Sequence, residues 1–576
     1  MTAIRPVLHR ANVSIRAWLL AQREHRLLLD TVILGVFAAL VAQVYNVALR
    51  WSYAGFLGRM AGYAPPGLPT EGGGAEHIGV FGLWLVPLVA ALGGLIVGII
   101  TERFAPETEG HGTDTALKAF HRTEGSLRAR VAPVKLITSA ITIGSGGSAG
   151  REGPMALISA GFGSMYASLM GRDSRDKRTL LLVGIAAGIS AIFRSPIGAA
   201  ILAVELPYAD MEFEPGALLY TSIGAVVAFA VNGLFVGYTP LFSAPMNVGG
   251  LHDTVDYMWY VPLGLAAGLF ATLMPEVFYR SIAWFKKLPL APAYRPALGA
   301  FITGLVALAV PQVLGGGYGW MQMAIDGKLA IGLLFVLVFA KLVALSATVG
   351  SGGSGGVFAP ALFMGAMLGA GFAQLIGQPP APFAIVGMAA VFAGAAHVPI
   401  AAMMMVSEMT GGYTLLVPAT LAVMISYVVQ ARLSRDLKYR GVYSNQVTSR
   451  AQSPAAHAKH LEIALQILRE RGLVSKDGGV GEGAAVAALS EGRPIALPGG
   501  RRVMVGVLRA DSAIAGATIE ASSARRHVDG LHVVSIIRGE HMLAPRPDLV
   551  LQGGDRLVLV VDEHGGRDVS EHVSPW

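Results

Sequence analysis

Long apolar runs recur along most of this chain and constrain its fold more than any other feature. Examples lie at 31–49, 81–100, 180–193 and 329–349. With 53% hydrophobic and only 14% charged residues, the 576-residue chain lacks the polar surface that a soluble protein of this size needs. The sequence therefore predicts an all-α polytopic membrane protein. Several runs fall short of the roughly 20 residues of a straight span and contain Gly or Pro, which favours broken helices that line a cavity.

The N-terminal segment carries positive charge ahead of the first apolar run, on Arg5, Arg10, Arg16, Arg23 and Arg26. No small-residue cleavage site follows a short apolar core, so we do not interpret it as a signal peptide. A cationic flank predicts a cytoplasmic N-terminus, and it explains much of the net charge of +7 without a nucleic-acid partner. We expect a multi-pass protein of a bacterial inner (plasma) membrane, with both termini in the cytoplasm.

The composition divides the chain into four parts. Residues 1–29 are expected to form a cytosolic N-terminal helix, and 30–445 the transmembrane domain. Residues 446–500 read as an amphipathic helix (461–473) followed by a linker (476–485), and 501–576 as a small cytosolic α+β domain. Within that domain, 502–508, 531–537 and 555–561 are candidate strands, and 511–521 is a candidate short helix.

The transmembrane part contains an internal repeat. GSGGSAGREGP (144–154) and GSGGSGGVFAP (350–360) are identical at seven of eleven positions. A second match follows in each half, because Pro196-Ile197 and Pro399-Ile400 each precede a glutamate, Glu205 and Glu408, by nine residues. Two matches in the same order predict duplicated halves, about 30–212 and 255–445. In membrane transporters such halves are often inverted, with the substrate site where they meet.

Each glycine segment is followed by an apolar stretch that favours a helix, at 155–170 and 361–376. A helix start carries unpaired N–H donors and partial positive charge, so it can hold an anion without a formal cation. Pro154 and Pro360 suit the first helical turn, where a missing N–H is tolerated. Two inverted halves would point two such helix starts at one place, and a small dehydrated anion is the expected occupant.

Glu152 is the exceptional residue of these segments, because a carboxylate in a membrane costs about 2.5–3.5 kcal/mol on insertion scales. At an anion site it can occupy the site itself, or take up a proton and leave, which is the behaviour of a gate. Arg151 would balance the local charge. The alternative is that Arg151 and Glu152 form a buried ion pair that only fixes the loop.

Enzymatic interpretations of the glycine segments are weaker. Both segments match the G-x-S-x-G nucleophile elbow, at Ser148 and Ser354, but that motif requires a preceding strand and a His–acid pair. Neither ends in the Gly-Lys-Ser/Thr of a phosphate-binding loop. An intramembrane serine hydrolase remains the remote alternative, and we predict that the protein is not an enzyme.

Four motifs in order resemble the CLC family of chloride channels and proton/chloride antiporters: GREGP (150–154), GVFAP (356–360), EMT (408–410) and GVYS (441–444). The resemblance covers about three quarters of the chain. It implies a homodimer in the lipid bilayer, in which each subunit has its own anion pathway and an inverted-repeat fold of tilted helices. Chloride would be the substrate, with no cofactor and no metal, and protons a second partner in the antiporters. The intact GREGP motif and Tyr443 favour chloride over fluoride export.

The resemblance also assigns roles. Glu152 matches the family's gating glutamate, and the backbone amides of Gly153, Val357 and Phe358 match the donors around the anion sites. Tyr443 matches the tyrosine whose hydroxyl contacts the central anion. In GHGTD (110–114), His111 takes the place of an anion-contacting serine and Asp114 that of a proline. Arg151, Gly150, Pro154, Gly356 and Pro360 complete the motifs as supporting residues.

The departures from the family pattern bear on mechanism. A His111 N–H can donate to an anion and would make conduction pH-sensitive, or it can simply be hydrogen-bonded near a helix cap. Asp114 is expected to cap a helix start from outside the pore. The family's inner, proton-relaying glutamate falls at Leu206, which favours passive, channel-like chloride conduction gated by Glu152; a proton-coupled antiporter is the alternative.

Other polar residues of the repeat have less specific interpretations. Glu205 and Glu408 match family glutamates that we expect to be structural. His397 is expected to be packed or cytosol-facing.

The C-terminal part resembles a different family. Residues 503–563, and 543–561 above all, resemble the TrkA-C (RCK C-terminal) module of potassium transport systems. That resemblance implies a dimerising, ligand-sensing regulatory domain, for which a nucleotide is one candidate ligand. A domain that only stabilises the dimer is the other interpretation.

Overall fold

The structure is a computed structural model of the chain. It describes residues 23–576 apart from 72–73, 81, 245–256, 451–452, 454–460, 462, 469, 471–484, 486–487, 490–492, 498–499, 525–530, 540, 562–571 and 576. Two compact units form: Met1–Leu117 with Gly125–Gln446, and Lys118–Glu124 with Val447–Trp576. Most of the predicted N-terminal helix and of the linker at 476–485 lies outside the described residues.

The first unit is built from helices. Those of the first half are α1 (Arg23–Tyr53), α2 (Val86–Phe104), α3 (Thr113–Arg122), α4 (Val131–Gly144), α5 (Glu152–Leu169), α6 (Ser174–Phe193), α7 (Pro196–Glu205) and α8 (Pro215–Val236). Those of the second half are α9 (Tyr260–Lys287), α10 (Arg295–Ala309), α11 (Tyr318–Ile325), α12 (Ile331–Thr348), α13 (Phe358–Leu375), α14 (Pro380–Ala396), α15 (Pro399–Thr410) and α16 (Leu416–Leu433). A π-helical turn, Ala54–Ala61, extends α1, and a two-stranded ladder pairs β1 (Tyr63–Ala64) with β2 (His77–Ile78).

Seven stretches of the described chain are long and apolar enough to cross a membrane. They are Arg23–Ala61, Val86–Phe104, Pro215–Val236, Tyr260–Lys287, Ile331–Thr348, Phe358–Leu375 and Tyr413–Leu433. Other apolar helices, such as Val131–Gly144, Pro196–Glu205 and Pro380–Ala396, are shorter. This mixture of full and partial spans confirms the prediction of a polytopic membrane protein with broken helices.

The two halves repeat one order of helices, so that α1–α8 correspond to α9–α16. Corresponding helices pack on each other where the halves meet, as α2 does on α10 and α7 on α15. Glycines permit the close approach: a Cβ at Gly98 would lie 2.0 Å from the Ala293 carbonyl oxygen, and one at Gly304 would lie 2.3 Å from the Pro87 Cα. The duplication predicted from the glycine segments is therefore visible in the packing.

The glycine segments themselves meet at the centre of the unit. Gly150 and Gly356 form an antiparallel bridge, with Gly150 N–H donating to Gly356 O at 2.8 Å and Gly356 N–H to Gly150 O at 2.7 Å. A Cβ on Gly356 would lie 2.8 Å from the Gly153 nitrogen. Only glycine permits this contact, and it places the starts of α5 and α13 side by side.

The second unit contains one antiparallel sheet. Its strands are β3 (Ile495–Ala496), β4 (Arg502–Leu508), β5 (Leu531–Arg538), β6 (His541–Leu543), β7 (Arg556–Val561) and β8 (Val573–Pro575). The order is β3-β4-β7-β5-β6, with β8 paired to β4. All six residues of β7 are buried, because Leu557 and Leu559 enter one apolar cluster while Val558 and Val560 enter another on the opposite face.

The sequence predictions for this unit are mostly confirmed. The three predicted strands correspond to β4, β5 and β7, and helical residues occur at 461 and 463–468. The short helix predicted at 511–521 is wrong in position, since the structure has turns over 511–517 and a helix, α17, at Ile519–Ala524. Alternating small and apolar residues do not distinguish such turns from a short helix.

Candidate functional site

The Glu152 carboxyl group lies between the starts of α5 and α13. Glu152 is the first residue of α5, and its Oε2 accepts a hydrogen bond from the Ala359 backbone N–H, in the first turn of α13, at 3.4 Å. The residue is 1% exposed. Gly150 leaves room for it, because a Cβ there would lie 2.0 Å from the same oxygen. A carboxylate thus occupies a position that a helix start makes favourable for negative charge.

A tyrosine, an arginine and a second glutamate adjoin Glu152. Tyr318, the first residue of α11, donates its hydroxyl hydrogen to Glu152 Oε1. The Arg151 guanidinium lies over the Tyr318 ring, 4.8 Å from its centroid, and its Nη2 is 2.7 Å from Glu71 Oε1. The ion pair that Arg151 makes is therefore with Glu71, a residue of the loop before α2, and the alternative of a pair between Arg151 and Glu152 is not observed.

Glu71 remains ionised in this arrangement. Burial opposes the charged form, but the Arg151 guanidinium outweighs it and holds the pKa of Glu71 below its ordinary value. The pair consequently persists when the surrounding solution is made mildly acidic.

This cluster faces a cavity of about 970 Å³. Arg50, Arg151 and Arg194 line it with Glu71, so the charged lining is positive on balance. Arg194 is held in place by hydrogen bonds to Thr239 O at 3.0 Å and to Thr70 O at 3.4 Å. The cavity adjoins the C-terminal end of α1, through residues such as Gln43 and Tyr53. An anion entering there would meet positive charge before it reached Glu152.

His111 and Tyr443 lie together at a second part of the site. Their ring centroids are 5.5 Å apart, and both residues are buried. Within the described chain, His111 Nδ1 has no hydrogen-bond partner, whereas Nε2 lies 3.4 Å from Asp114 Oδ2. The backbone of His111 reaches α5, because a Cβ on Gly153 would lie 2.4 Å from the His111 carbonyl oxygen.

Asp114 does not have the predicted role of a helix cap. Its Oδ2 accepts from Ser444 Oγ at 2.6 Å and from Ser444 N at 3.2 Å, while Oδ1 accepts from Asn445 N at 3.1 Å. The carboxylate is directed at Ser444 and Asn445, whose backbone N–H groups donate to it. Asp114 thereby fixes the residues next to Tyr443.

The other predicted residues lie on the two helix starts. Gly153 and Pro154 are in the first turn of α5, and Val357, Phe358 and Pro360 at the start of α13. The Phe358 ring packs against Phe392, with centroids 4.0 Å apart, and against Phe193 at 4.7 Å. Aromatic side chains of α6 and α14 thus pack against the first side chain of α13.

Glu205 and Glu408 each bind the helix start of the opposite half. Glu408 accepts from Ser195 Oγ at 2.5 Å, Gly198 N at 2.8 Å and Ile197 N at 3.0 Å, at the start of α7. Glu205 accepts from Ala401 N at 2.8 Å and Ile400 N at 3.2 Å, at the start of α15. These reciprocal contacts are structural, as the resemblance to the family implied.

Leu206 and His397 also lie within the packed interior. Leu206 is buried at the end of α7. His397 Nε2 is 2.5 Å from Gln430 Oε1, and the residue is 4% exposed, so this histidine is packed and does not face the cytosol.

Sequence reasoning missed two buried lysines. Lys135 Nζ donates to Thr108 O at 2.9 Å and to Gly110 O at 2.7 Å, and Lys341 Nζ to Val313 O at 2.8 Å and to Gly315 O at 2.6 Å. A signal was present, because each lysine interrupts an apolar run nine residues before its glycine segment. Gly112 lies against Lys135, since a Cβ there would be 2.9 Å from its Cε.

A pair of threonines was missed as well. Thr142 Oγ1 accepts from Ser354 N at 3.2 Å, and Thr348 Oγ1 accepts from Ser148 N at 3.0 Å. Each threonine thus holds the glycine segment of the other half. Within the described residues, neither serine hydroxyl is hydrogen-bonded to a histidine. Ser354 Oγ accepts from Thr138 Oγ1 at 3.0 Å, and Ser148 Oγ has no partner there.

Fold and site together define a membrane protein with two intertwined halves and a carboxylate between two helix starts. Comparison with known proteins identifies the family to which it belongs. The family model described as voltage gated chloride channel matches residues 93–431, and the TrkA-C domain matches residues 505–573. The chain belongs to the voltage gated chloride channel (CLC) family, and it carries a C-terminal TrkA-C domain.

Relatives share the membrane part. The ClcB channel of Escherichia coli strain K12, named a voltage-gated ClC-type chloride channel, is 29% identical over 435 residues, 72% of this chain and 98% of its own. A ClcB-like protein of Ralstonia nicotianae is 32% identical over 367 residues, 60% of this chain and 82% of its own. Among solved structures, a slow cyanobacterial Cl⁻/H⁺ antiporter superposes with a TM-score of 0.62 at 22% identity, over 73% of this chain and 96% of its own. These structural matches establish the inverted-repeat CLC fold.

Proposed function

We propose that this protein conducts chloride across the membrane and that Glu152 gates the pathway. The observation that carries the proposal is the Glu152 carboxylate at the start of α13, where the Ala359 N–H donates to it. A carboxylate and a chloride ion compete for the same donors, because both are anions that a helix start stabilises. Protonation of Glu152 removes its charge and frees this anion-binding position at the start of α13 (the seat) for chloride.

The remaining contacts of the anion come from both halves. The backbone amides of Gly153, Val357 and Phe358 are proposed to donate to it, and the Tyr443 hydroxyl and His111 to bind it further along. In support, the His111 and Tyr443 rings are 5.5 Å apart, and within the described chain His111 Nδ1 has no hydrogen-bond partner. Because Nε2 faces the Asp114 carboxylate at 3.4 Å, Nδ1 donates to an anion when the imidazole is doubly protonated. Arg151, Gly150, Pro154, Gly356 and Pro360 shape the segments that carry these donors.

We favour passive, channel-like conduction over coupled exchange. Leu206 occupies the position of the family's inner proton-carrying glutamate, and its side chain is buried and apolar. The relatives named ClcB are described as chloride channels. Proton-coupled antiport is the second candidate, because a chloride/proton antiporter and a fluoride/proton antiporter share the fold.

Flux measurements distinguish the two mechanisms. The purified full-length protein is reconstituted in liposomes loaded with chloride, and the external pH is recorded with and without a protonophore. Passive conduction predicts chloride efflux that stops when the membrane potential builds up and drives no proton uptake against a gradient. Proton uptake driven by the chloride gradient would establish antiport. Glu152→Gln should alter both conductance and pH dependence, and unchanged values would contradict the gating assignment.

The wider organisation completes the proposal. We infer a homodimer with one pathway in each subunit, in a bacterial inner membrane with both termini cytoplasmic. The proposed division is 1–29, 30–445, 446–500 and 501–576. With a cytoplasmic N-terminus, the arginine-lined cavity at the C-terminal end of α1 opens on the external side. The TrkA-C domain is proposed to regulate transport by binding a ligand, for which a nucleotide is the first candidate.

A further inference from the structure

The internal repeat places Tyr318 at a position equivalent to the filter segment around His111. Lys135 binds the Gly110 carbonyl and Lys341 binds the Gly315 carbonyl. Three residues after these glycines come the first residues of α3 and α11, which are Thr113 and Tyr318. The repeat therefore brings Tyr318 to the pathway from one side, just as it brings the His111–Thr113 segment from the other.

The position of the Tyr318 ring is fixed by its neighbours. Gly317 has a φ of 77°, and a Cβ on Gly316 would lie 2.5 Å from Tyr318 Cε2, so two glycines make room for the ring. Phe242 packs beside it, with centroids 6.3 Å apart, and the Arg151 guanidinium covers it at 4.8 Å. Glu71 in turn holds Arg151. The hydroxyl is thus directed at Glu152 Oε1 by an ordered set of contacts.

We propose that Tyr318 is a positioning residue whose hydroxyl holds the Glu152 carboxylate in its seat and thereby sets the pH at which the seat opens. This inference rests on the proposed function, in which Glu152 competes with the transported anion. A phenol that donates a hydrogen bond stabilises the ionised carboxylate relative to the neutral acid. The Glu71–Arg151 pair contributes by holding the ring, and its own charges do not change over mildly acidic pH.

Other titratable groups face Glu152 and act alongside Tyr318. They are Arg151 next to it in sequence, Tyr45 from α1, Lys341 from α12 and Tyr443 from the GVYS segment. Among the described residues, the hydroxyl that donates to Glu152 is that of Tyr318. Removal of this hydroxyl alone leaves the surrounding charges in place.

The test compares Tyr318→Phe with a matched control outside the cavity. Tyr238 is not among the residues that line the cavity, and its hydroxyl donates to Ala230 O at 3.0 Å. Chloride flux through the full-length protein in liposomes is measured against external pH. For Tyr318→Phe we expect the midpoint to move about one pH unit towards alkaline pH, with flux near neutral pH raised roughly three- to tenfold. Tyr238→Phe should match the wild type.

A double-mutant cycle distinguishes positioning from a general structural role. In a Glu152→Ala background the hydroxyl has no carboxylate to hold, so the added Tyr318→Phe should have no further effect on the pH profile. Equal effects of Tyr318→Phe in both backgrounds would overturn the inference. So would an unshifted profile of a Tyr318→Phe protein that elutes like wild type on size exclusion.

Two further variants keep the inference separate from the proposed function. If Tyr318→Phe fails to fold, Phe242→Leu is the substitute, because it loosens the packing against the Tyr318 ring without changing a charge; it should shift the midpoint in the same direction by a smaller amount, and no shift would overturn the inference. Glu152→Ala tests the gate itself. If Glu152→Ala abolishes the pH dependence while Tyr318→Phe leaves it unshifted, the gate stands and the role of Tyr318 fails; if Glu152→Ala changes nothing, the proposed function fails.

Discussion

At the scale of single residues, the site depends on glycines, because their lack of a side chain leaves space for other atoms of the site. Gly150 leaves the space that the Glu152 carboxyl group occupies, and Gly356 leaves the space for the start of α5. A methyl group at either position would meet backbone or carboxylate atoms well inside van der Waals contact. The glycine segments are therefore close-packed parts of the site and not flexible linkers.

Substitution of Gly150 tests this description. A Cβ there would also lie 2.9 Å from the Ala359 Cβ, so Gly150→Ala should push the Glu152 carboxylate out of its seat. We expect a chloride flux whose dependence on external pH is weakened, together with a lower unfolding midpoint that reflects about 1–3 kcal/mol of strain. Gly332→Ala is the control, because nothing lies within 4 Å of a Cβ at that helical position. A wild-type pH profile for Gly150→Ala would contradict the packing argument.

Much of this residue-scale picture was predictable and part was not. The glycine pattern, the lone carboxylate of Glu152 and the helix-starting prolines are local signals, and each predicts its environment. Other contacts join residues that are far apart in the sequence. The partners are 166 positions apart for Tyr318 and Glu152, 80 for Glu71 and Arg151, and 330 for Asp114 and Ser444. Such pairings follow from the tertiary fold, so no pattern in the neighbouring sequence could reveal them.

At the scale of secondary-structure elements, the two halves hold each other by their helix starts. Glu408 binds the start of α7 and Glu205 the start of α15, while Thr142 and Thr348 hold the opposite glycine segments. Every one of these groups satisfies N–H donors that a helix start or tight loop leaves free. The halves consequently cannot separate without exposing polar backbone inside the membrane.

Removal of one of these carboxylates should destabilise the whole unit. Glu408→Ala leaves three donors without an acceptor, and hydrogen bonds to charged groups contribute about 1.5–3 kcal/mol each before relaxation. We expect a fall of at least about 3 kcal/mol in unfolding free energy, measured by thermal or denaturant unfolding in detergent. Glu107→Ala is a suitable control, since its ion pair with Arg128 is largely exposed. Equal stability of the two variants would argue against the reciprocal capping.

The buried lysines make a parallel prediction. Lys135→Met keeps the apolar stem but leaves the Thr108 and Gly110 carbonyl groups without their donor, which costs about 1–3 kcal/mol for each unsatisfied group. It also removes the Nζ group that holds the Gly110 carbonyl beside His111, so chloride flux should fall along with stability. Lys328→Met, which loses only an exposed contact with Asp326, should change neither quantity. Flux of Lys135→Met equal to that of the control would show that this contact plays no part in conduction.

Elements differ in how well the sequence predicts them. The strands β4 and β7 were evident from runs of β-branched and apolar residues, and the long apolar helices from their length. The short strands β3, β6 and β8 have two or three residues each, too few for a periodic pattern. Their pairing is decided by the neighbouring strand and not by their own composition.

At the scale of the whole molecule, a CLC membrane domain is joined in one chain to a TrkA-C domain. The proposed regulatory role predicts that a ligand stabilises the folded domain. Adenine nucleotides at millimolar concentration should raise the unfolding midpoint of the full-length protein, as mass action requires of any ligand that binds the folded state. Asp555→Asn weakens the ion pair between Arg538 and the buried Asp555, so it provides a variant of that domain whose unfolding midpoint is compared with that of the wild type. No shift with any nucleotide would remove nucleotides as the ligand class and leave a stabilising role.

In the proposed mechanism, the Glu152 carboxylate and the transported anion compete for one seat at the start of α13. Anomalous diffraction from bromide-soaked crystals of the wild type and of Glu152→Gln tests it directly. We predict that bromide lies within hydrogen-bonding distance of the Phe358 and Ala359 amides in Glu152→Gln, and that the carboxylate replaces it there in the wild type at neutral pH. Bromide at that position in both proteins alike, or in neither, would show that the carboxylate and the anion do not compete there.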